Sequence, residues 1–478
     1  MTRRFWLSGF WLEKVMHGFV ALVAVSALGL VARLVWEVPY PPQELFNHLT
    51  QLMGTPAMFQ FIHKVLGYGA AGKVFAFAGS FALWLVALTA LGWLRPWMAA
   101  LGVLIACALL TPIPVALVTA LVYYGIRVLL ETPYLGGSAN LERRRTLGWL
   151  TVSSGLLVSG GAASLLRYIF APSVEAAGSS PDVETLLPGT TPQSEFYSIS
   201  KNLEAFDPKL TEAKWSLKVG GLVKNPRSYR LEELRTQPQR NVEATMVCIS
   251  NAVGGGLIGN AIWNGSSLRR LLEEVGIDPK ARFVNWRAAD GYIESLPLAA
   301  ALEDDVLLVH GWNGQPLSQK HGFPLRVLIP GRLGMKQPRW ITEIELSDTP
   351  AIGYWVERGW SKDAFVQTMS RIDSPSESEV SLRASNIKEV NGIAFAGERT
   401  ITKVEVTVNG GQSWLEAELL PRRSKHAWQM WRVAWRPQPG SHQLAVKAYA
   451  DGVLQSEAIR DALPEASSGW HSFISNLG

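Results

Sequence analysis

The first 170 residues of this 478-residue chain are nearly uncharged, and this limits what they can fold into. They contain 12 basic and five acidic residues, and residues 74–94 carry no charge. A helix of 22 residues, the length of segment 15–36, is about 33 Å long and can cross a bilayer core. The segment is therefore predicted to form an α-helical transmembrane bundle.

Five membrane spans are expected in this bundle. They are residues 15–36, residues 74–94, two short helices within residues 97–130, and residues 147–170. The prolines in Thr111-Pro112-Ile113-Pro114 favour a break in the third apolar run. Five spans with a cytoplasmic N-terminus place the basic residues inside and everything after residue 170 outside. The alternative of four spans leaves Arg143-Arg144-Arg145 on the wrong side.

That arginine triplet precedes the last span within residues 143–150 and resembles a twin-arginine export signal placed inside the chain. The alternative interpretation is an ordinary stop at a membrane face. A functional signal would export the distal part already folded, as expected when a cofactor is inserted in the cytoplasm.

The histidines of the bundle are candidate haem ligands, because paired imidazoles bind haem iron between helices. His17 lies at the cytoplasmic start of the first span, whereas His48 and His63 are expected in the loop beyond its far end. No haem site is evident from this arrangement. The bundle is interpreted as an anchor, a docking surface or a unit next to the quinone pool.

The net charge of +5 divides unevenly along the chain, with +7 in residues 1–170 and −2 in the remainder. The basic excess therefore sets membrane topology and does not indicate nucleic-acid binding. Two cysteines exclude a disulfide scaffold, and the 48% hydrophobic fraction excludes a disordered chain.

The rest of the chain divides into a linker and two domains. Residues 171–195 are rich in Pro, Ser, Gly and Thr, as linkers are. Residues 196–372 mix short strands and helices, which predicts an α+β domain. The strands are expected at 215–223, 242–248 and 305–310, with a helix at 267–275.

Residues 373–478 follow a second division near Ser374-Pro375-Ser376 and are expected to be all β. Residues 401–408 alternate between apolar and polar, and Asn409-Gly410-Gly411 is typical of a hairpin turn. Further strands are expected at 413–419, 428–435 and 442–449. The spacing indicates a small β-sandwich of the immunoglobulin type.

Cys248 is the first candidate for chemistry. It ends a predicted strand just before Gly254-Gly255-Gly256. A lone cysteine is usually a small buried apolar residue, and that alternative stays open. A thiolate is also a soft ligand for a transition metal, and a glycine-rich loop lets the backbone approach a bulky group closely.

The second candidate is a cationic segment, residues 320–340, in which basic side chains alternate with Gly and Pro. Its basic residues are Lys320, His321, Arg326, Arg332, Lys336 and Arg339. Guanidinium groups bind phosphate oxygens in a planar fork, so the segment could bind an anion. The alternative is a charged loop that closes a sheet.

In order along the chain, these motifs resemble the sulfite oxidase family over residues 196–478. The resemblance rests on Cys248 with Asn251, His321-Gly322-Phe323-Pro324 with Arg326, and Arg339-Trp340. It extends to segment 196–202, where Lys201 replaces an arginine of the family, and to Asp290. The C-terminal sandwich is similar to the family's dimerisation domain.

The resemblance implies a molybdenum–molybdopterin cofactor and assigns roles to individual residues. Cys248 would be the molybdenum ligand, and Trp360 would take the place of the family's substrate-side tyrosine. The cofactor would also be held by a larger set of residues: Tyr197, Lys201, Asn202, Asn251, Asp290, His321, Arg326, Lys336 and Arg339. An arginine pair that follows the asparagine in sulfite oxidases is replaced by Ala252 and Val253, which weakens the case for a small dianion such as sulfite.

The function expected from the sequence is oxygen-atom transfer by a membrane-anchored oxidoreductase facing the extracytoplasmic side. Its electrons would be exchanged with a separate carrier, either a cytochrome or the quinone pool, and a homodimer is implied by the resemblance. One alternative is a reductase of sulfoxides or other S- or N-oxides. The other is an exported binding protein that has lost turnover.

Overall fold

The computed structural model describes residues 2–36, 38–52, 70–131, 189–202, 204–375, 387 and 389–477. The chain forms two compact units. One is Met1–Ala176 with Asn202–Phe206, and the other is Ala177–Lys201 with Asp207–Gly478. The predicted span at 147–170, the arginine triplet at 143–145 and His63 lie outside the described residues.

In its described ranges the N-terminal unit consists of helices and the short connections between them. Its helices are α1 (Thr2–Trp36), α2 (Pro41–Leu52), α3 (Ala70–Thr89), α4 (Pro96–Ala108) and α5 (Ile113–Glu131). Only Lys14–Arg33, with a mean hydropathy of 2.2, is both long and apolar enough to cross a bilayer within these ranges. The other apolar helices, Phe77–Trp93, Pro96–Ala108 and Ile113–Val128, are shorter. The described residues thus provide one candidate span, where the sequence predicts about five.

Two local features of this unit can be compared with the sequence. The break predicted between residues 111 and 114 separates α4 from α5. The expectation that His48 lies in a loop is wrong, because His48 is on α2, which begins at Pro41. A proline in the first helical turn gives up no hydrogen bond and presets the helical φ, so the proline pair starts this helix.

The second unit contains an α+β part built on two sheets. The first sheet has the order β2-β1-β10-β5-β6, and the second has the order β3-β4-β7-β8 with β9 also paired to β7. The strands are β1 (Leu217–Gly221), β2 (Arg227–Tyr229), β3 (Gln239–Val247), β4 (Ile258–Ser267), β5 (Phe283–Ala288), β6 (Ile293–Pro297), β7 (Leu307–Trp312), β8 (Gln315–Pro316), β9 (Arg326–Leu328) and β10 (Ile341–Ser347). Its helices are α6 (Leu231–Thr236), α7 (Leu268–Val275) and α8 (Leu298–Ala301).

Helix α7 shows how the sequence determines an element here. Ser267 caps it by accepting a hydrogen bond from the Arg270 backbone N–H. The apolar side chains at 268, 271, 272 and 275 are all buried on one face. Gly276, with φ of 72°, ends the helix.

The C-terminal part of this unit consists of two β-sheets around a shared core. One sheet has the order β11-β12-β16-β15, and the other has the order β14-β13-β17-β18 with β19 paired to β17. The strands are β11 (Met369–Ser374), β12 (Glu389–Phe395), β13 (Ile401–Thr407), β14 (Leu415–Glu416), β15 (Glu418–Leu419), β16 (Gln429–Ala434), β17 (Gly440–Ala450), β18 (Val453–Leu454) and β19 (His471–Leu477). Trp431 from one sheet and Val404, Val446 and Phe473 from the other share the core. We call residues 363–477 the β domain.

The prediction of an α+β domain followed by a β-rich domain is confirmed. The continuous strand predicted at 413–419 is wrong, because β14 and β15 belong to different sheets. The chain crosses between the sheets at Ala417, which is buried and donates its N–H to the Val404 carbonyl. A corner strand of this kind keeps the alternating pattern of a single strand, so the pattern does not reveal it.

Candidate functional site

Cys248 lies directly after β3, where the chain turns into a loop that returns as β4. Its side chain is buried, and its Sγ is 3.2 Å from the Ser250 Oγ. Its backbone N–H donates to the Leu257 carbonyl at 2.9 Å, so the loop closes on itself. We call residues 248–257 the cysteine loop.

Asn251 holds this loop together. Its Oδ1 accepts a hydrogen bond from the Leu257 N–H at 2.8 Å, and its own N–H donates to the Cys248 carbonyl at 3.0 Å. The resemblance assigns Asn251 to the cofactor. In the structure its side-chain oxygen braces the loop that carries Cys248.

Tyr197 approaches the base of the cysteine loop. Its buried hydroxyl has no hydrogen-bond partner within the described residues. A Cβ on Gly334 would lie 2.9 Å from that hydroxyl oxygen and 3.4 Å from the Val247 carbonyl oxygen. Burial raises the pKa of Tyr197 well above its ordinary value, and the charge of Cys248 raises it further. The hydroxyl is thus a neutral donor next to Cys248.

Arg326 is a buried cation without a carboxylate partner in the part of the chain that the structure describes. It is 4% exposed. Its Nη1 donates to the His321 carbonyl at 3.1 Å, its Nη2 contacts the Met246 sulfur at 3.1 Å, and its buried Nε has no acceptor. Burial, with a smaller effect from Arg339, lowers the pKa of Arg326 to about 9. Burying an unpaired charge costs free energy, so the site is suited to an anion.

His321 is buried, and both of its ring nitrogens are engaged. The Nδ1 lies 2.8 Å from the Ser318 hydroxyl, and the Nε2 lies 3.2 Å from the Phe196 carbonyl. Burial lowers its pKa from 6.5 to about 3, so the ring is neutral. The Nε2–H therefore donates to the carbonyl, and the Nδ1 accepts from the hydroxyl. The ring ties segment 196–201 to the loop after β8.

Arg339 supports the same segment from the other side. Its guanidinium donates to the Ser198 hydroxyl at 2.8 Å, to the Ile199 carbonyl at 3.1 Å and to the Lys320 carbonyl. It also stacks on the Trp340 ring at 4.1 Å. The structure thus brings Tyr197, His321, Arg326 and Arg339 together around one segment.

Lys336 has a partner that sequence reasoning missed. Its Nζ lies 2.7 Å from the Glu294 Oε1 and donates to the Ser295 carbonyl at 3.1 Å. Both side chains are buried, and the second oxygen of Glu294 has no partner among the described residues. Burial raises the pKa of Glu294, which Lys336 opposes. Lys336 is therefore already neutralised by the chain, unlike Arg326.

Three further residues predicted to hold the cofactor are Lys201, Asp290 and Asn202. Lys201 Nζ is 4.0 Å from Asp290 and 5.4 Å from the Tyr354 ring centre. Asp290 also accepts the Tyr292 N–H at 2.9 Å. Asn202 is buried, but it belongs to the short segment that clusters with the N-terminal unit.

Trp360 lies at the end of a turn that follows β10. It is buried, and its indole N–H has no partner in the described ranges. Its backbone N–H donates to the Trp355 carbonyl at 3.1 Å. Arg358, a residue not selected from the sequence, is buried on this turn and stacks on the Tyr354 ring at 3.6 Å.

A small cavity, part of which is open to solvent, adjoins Cys248. One wall comes from the cysteine loop, including Ala252 and Val253, and the opposite wall comes from the β domain, including Gln367, Met369 and Ser468. None of the described lining residues is charged, and Trp360 is not among them.

Two family models match the catalytic unit. A family model described as oxidoreductase molybdopterin binding domain matches residues 204–355, and one described as Mo-co oxidoreductase dimerisation domain matches residues 363–458. Together they cover more than half of the chain.

The chain is also similar to two characterised or named relatives and to one solved structure. The chain is 30% identical over 251 residues to sulfite oxidase of Arabidopsis thaliana, across 42% of this chain and 64% of that protein. It is 32% identical over 149 residues to the putative protein-methionine-sulfoxide reductase subunit YedZ1 of Azospira oryzae, across 31% and 55%. The chain spans less than two thirds of the length of these relatives. The sulfane dehydrogenase SoxCD of Paracoccus pantotrophus has the same fold, with a TM-score of 0.54 at 21% identity over 62% of this chain and 85% of that chain.

Proposed function

This chain belongs to the sulfite oxidase family of molybdopterin oxidoreductases, and on that premise we propose that it catalyses oxygen-atom transfer and exchanges electrons with a separate carrier. The observation that carries the proposal is Arg326, a buried guanidinium that the described part of the chain does not neutralise. The molybdopterin cofactor carries a phosphate, which would supply the missing negative charge.

The residues around Arg326 fit such a group. The unpartnered hydroxyl of Tyr197 offers a further donor, and Gly334 leaves the backbone accessible beside it. Arg339 and His321 hold the segment that carries Tyr197. We assign the phosphate to Arg326, the positioning of the cradle to His321 and Arg339, and a supporting role to the Lys336–Glu294 pair.

Cys248 would provide the protein ligand to molybdenum through its thiolate. When bound, the cofactor supplies two-electron oxygen-atom transfer. The chain holds the Cys248 Sγ near Ser250 and fixes its backbone through Leu257 and Asn251. These contacts leave the sulfur little freedom, as expected of a group that must present a ligand in one geometry.

The substrate side is proposed to be the uncharged cavity beside Cys248. Ala252 and Val253, which replace an arginine pair of sulfite oxidases, belong to its uncharged lining. Such a lining favours an uncharged oxo compound over a small dianion as substrate. The second candidate function, reduction of a sulfoxide or another S- or N-oxide, is favoured by this lining and by the similarity to the putative protein-methionine-sulfoxide reductase subunit of Azospira oryzae. Trp360 is kept as a proposed substrate-side residue on resemblance alone.

We further propose that the N-terminal unit anchors the enzyme in a membrane, with the catalytic unit on the extracytoplasmic side. Helix α1 contains the candidate span Lys14–Arg33, and Arg127 on α5 is fully buried while it donates to the Gly92 carbonyl at 2.9 Å. A charged residue in an apolar helix is expected to face the protein interior in this way. The match to a dimerisation domain supports a homodimer.

Metal analysis of the purified full chain, produced with working cofactor synthesis, tests the proposal. About one molybdenum per chain is expected, and its absence would refute both enzymatic functions. Cys248→Ser should abolish turnover and change the visible absorption, whereas Cys107→Ser on α4 is the matched control and should change neither. Retained turnover in Cys248→Ser would refute the ligand assignment.

A substrate panel then distinguishes the reactions. Sulfite with a one-electron acceptor tests oxidation, and methyl sulfoxides and amine N-oxides with a reduced dye test reduction. Bound molybdenum without turnover on any member would favour the alternative of a binding protein without catalysis.

A further inference from the structure

The β domain touches the cysteine loop at three places. The Ser467 hydroxyl donates to the Asn251 carbonyl, and the Arg371 Nη1 donates to the Gly255 carbonyl at 2.9 Å. The His471 ring packs against Gly254. These three side chains come from β11, from β19 and from the segment just before β19, so the contact involves more than one element of the β domain.

The contact between His471 and Gly254 is close. A Cβ at Gly254 would lie 2.3 Å from the His471 Cδ2 and 2.5 Å from its Nε2, well inside any real contact. The ring cannot easily retreat, because its Nδ1 accepts the Ile372 N–H of β11 at 3.0 Å. Gly254 also has a φ of 71°, a conformation that other residues rarely adopt.

Arg371 is held in place before it reaches the loop. Its Nε donates to the Asp373 carboxylate at 2.5 Å, and its side chain is only 18% exposed. A guanidinium fixed at one end gives a stronger and better directed hydrogen bond at the other. The Gly255 carbonyl is thus bound by a group that belongs to the rigid β11.

The same β domain builds the wall of the cavity that faces Cys248. Ser370 and Ser467-Ser468-Gly469 line it together with Asn251 and Gly254 of the loop. The parts of the β domain that contact the cysteine loop therefore also form the cavity wall beside the Cys248 sulfur.

We propose that the β domain is a working part of the Cys248 site, and that Arg371, Ser467 and His471 are positioning residues that hold the cysteine loop. Within the loop, Cys248 and Asn251 each form a hydrogen bond with the backbone of Leu257. The β domain adds contacts to Asn251, Gly254 and Gly255 from outside the loop. The role in catalysis rests on the proposed function, whereas the holding of the loop does not.

Hydrogen exchange of the full chain measures the holding directly. Arg371→Met removes the bond to the Gly255 carbonyl, and the backbone amides of a peptide spanning residues 249–257 are expected to exchange about tenfold faster. Arg432→Met on β16 of the same sheet is the matched control, because Arg432 pairs only with the exposed Glu418 in the described structure. Exchange in Arg371→Met no faster than in Arg432→Met would overturn the proposal.

The molybdenum-loaded enzyme provides a second readout. Arg371→Met should shift the visible absorption and lower kcat about tenfold, with a smaller change in KM. The reason is that a displaced cysteine loop moves the Cys248 sulfur more than it changes the wall of the cavity. An unchanged spectrum and kcat, together with faster exchange, would reduce the three residues to a structural role. If the wild type holds no molybdenum, the proposed function fails, but the exchange comparison still tests the loop.

A double-mutant cycle tests the third contact. Gly254→Ala should destabilise the chain through both the positive φ and the clash, whereas His471→Ala alone loses the hydrogen bond from the Ile372 N–H. We expect Gly254→Ala to lower the thermal midpoint less in the His471→Ala background than in the wild type, because the clash is absent there. An equal or larger loss in the His471→Ala background would show that the ring does not press on the loop.

Discussion

At the scale of single residues, replacing Arg326 should reduce cofactor retention without reducing the stability of the cofactor-free protein. The buried charge of Arg326 has no carboxylate partner in the described residues, so Arg326→Met should leave the thermal midpoint of cofactor-free protein unchanged or higher. The same change should lower the molybdenum content of purified protein about tenfold, because the anion loses its counter-charge. Arg287→Met, which removes an exposed cation near Glu343, is the control and should keep full molybdenum content. Full retention in Arg326→Met would contradict the phosphate assignment.

His321 provides a pH dependence with a definite sign. The pKa of His321 is about 3 in the folded chain and 6.5 ordinarily. Between these pH values the unfolded chain therefore binds a proton at His321 that the folded chain does not bind. This contribution to stability is complete above pH 6.5 and is lost as the pH falls toward 3, at up to about 1.4 kcal/mol per pH unit. The thermal midpoint of His321→Asn should therefore depend less on pH between 7 and 4 than that of the wild type.

The control for that measurement is His442→Asn, since His442 lies at the surface with its Nε2 2.8 Å from the Gln438 carbonyl. It should follow the wild-type pH dependence. Parallel curves for His321→Asn and the wild type would show that the ring is not held neutral.

Cys248, Arg326 and Tyr197 were named as site residues from the resemblance, and their roles remain predictions. In the structure, Tyr197 is close enough to both Cys248 and Arg326 for their charges to affect its pKa. The partner of Lys336 could not be predicted, since Glu294 is 42 positions away and looks like an ordinary exposed strand residue. The sequence signal for this pair was the charge of Glu294 among the apolar residues of β6.

At the scale of elements, the Glu294–Lys336 pair joins β6 to the turn at Gly334–Lys336. Lys336→Met would leave a buried carboxylate without its cation and should lower the free energy of unfolding by about 3–5 kcal/mol. Adding Glu294→Gln should restore part of that loss. Lys218→Met removes an exposed pair with Glu343 and should cost less than about 1 kcal/mol. Denaturant titration of the full chain measures all four proteins, and equal losses at both sites would contradict the burial argument.

Periodicity predicted the elements that have one buried face. Helix α7 and strands β13 and β17 lie where the apolar spacing indicates. The alternation of apolar and polar residues did not reveal the boundary between β14 and β15 at Ala417. One alternating run continues there from a strand of one sheet into a strand of the other. Helix α2 was not predicted, because His48 was expected to lie in a loop.

At the scale of the whole molecule, membrane attachment and orientation are open to direct measurement. The full chain should stay in the membrane fraction after alkaline carbonate washing, and the catalytic unit should be cut by protease added from the extracytoplasmic side. Arg144-Arg145→Lys-Lys should trap the catalytic unit inside, if the segment acts as an export signal. Unchanged protease access in that variant would contradict the signal, and release by carbonate would contradict the anchor.

The separation along the chain between the cysteine loop and Ser467 and His471 has a consequence for biosynthesis. A ribosome completes the cysteine loop some 200 residues before it makes these two side chains, and domains fold as they emerge. Until Ser467 and His471 have been made, the pocket around Cys248 lacks part of its second wall. The nascent chain thus has an interval in which a bulky ligand can enter, and that interval closes when β19 pairs with β17.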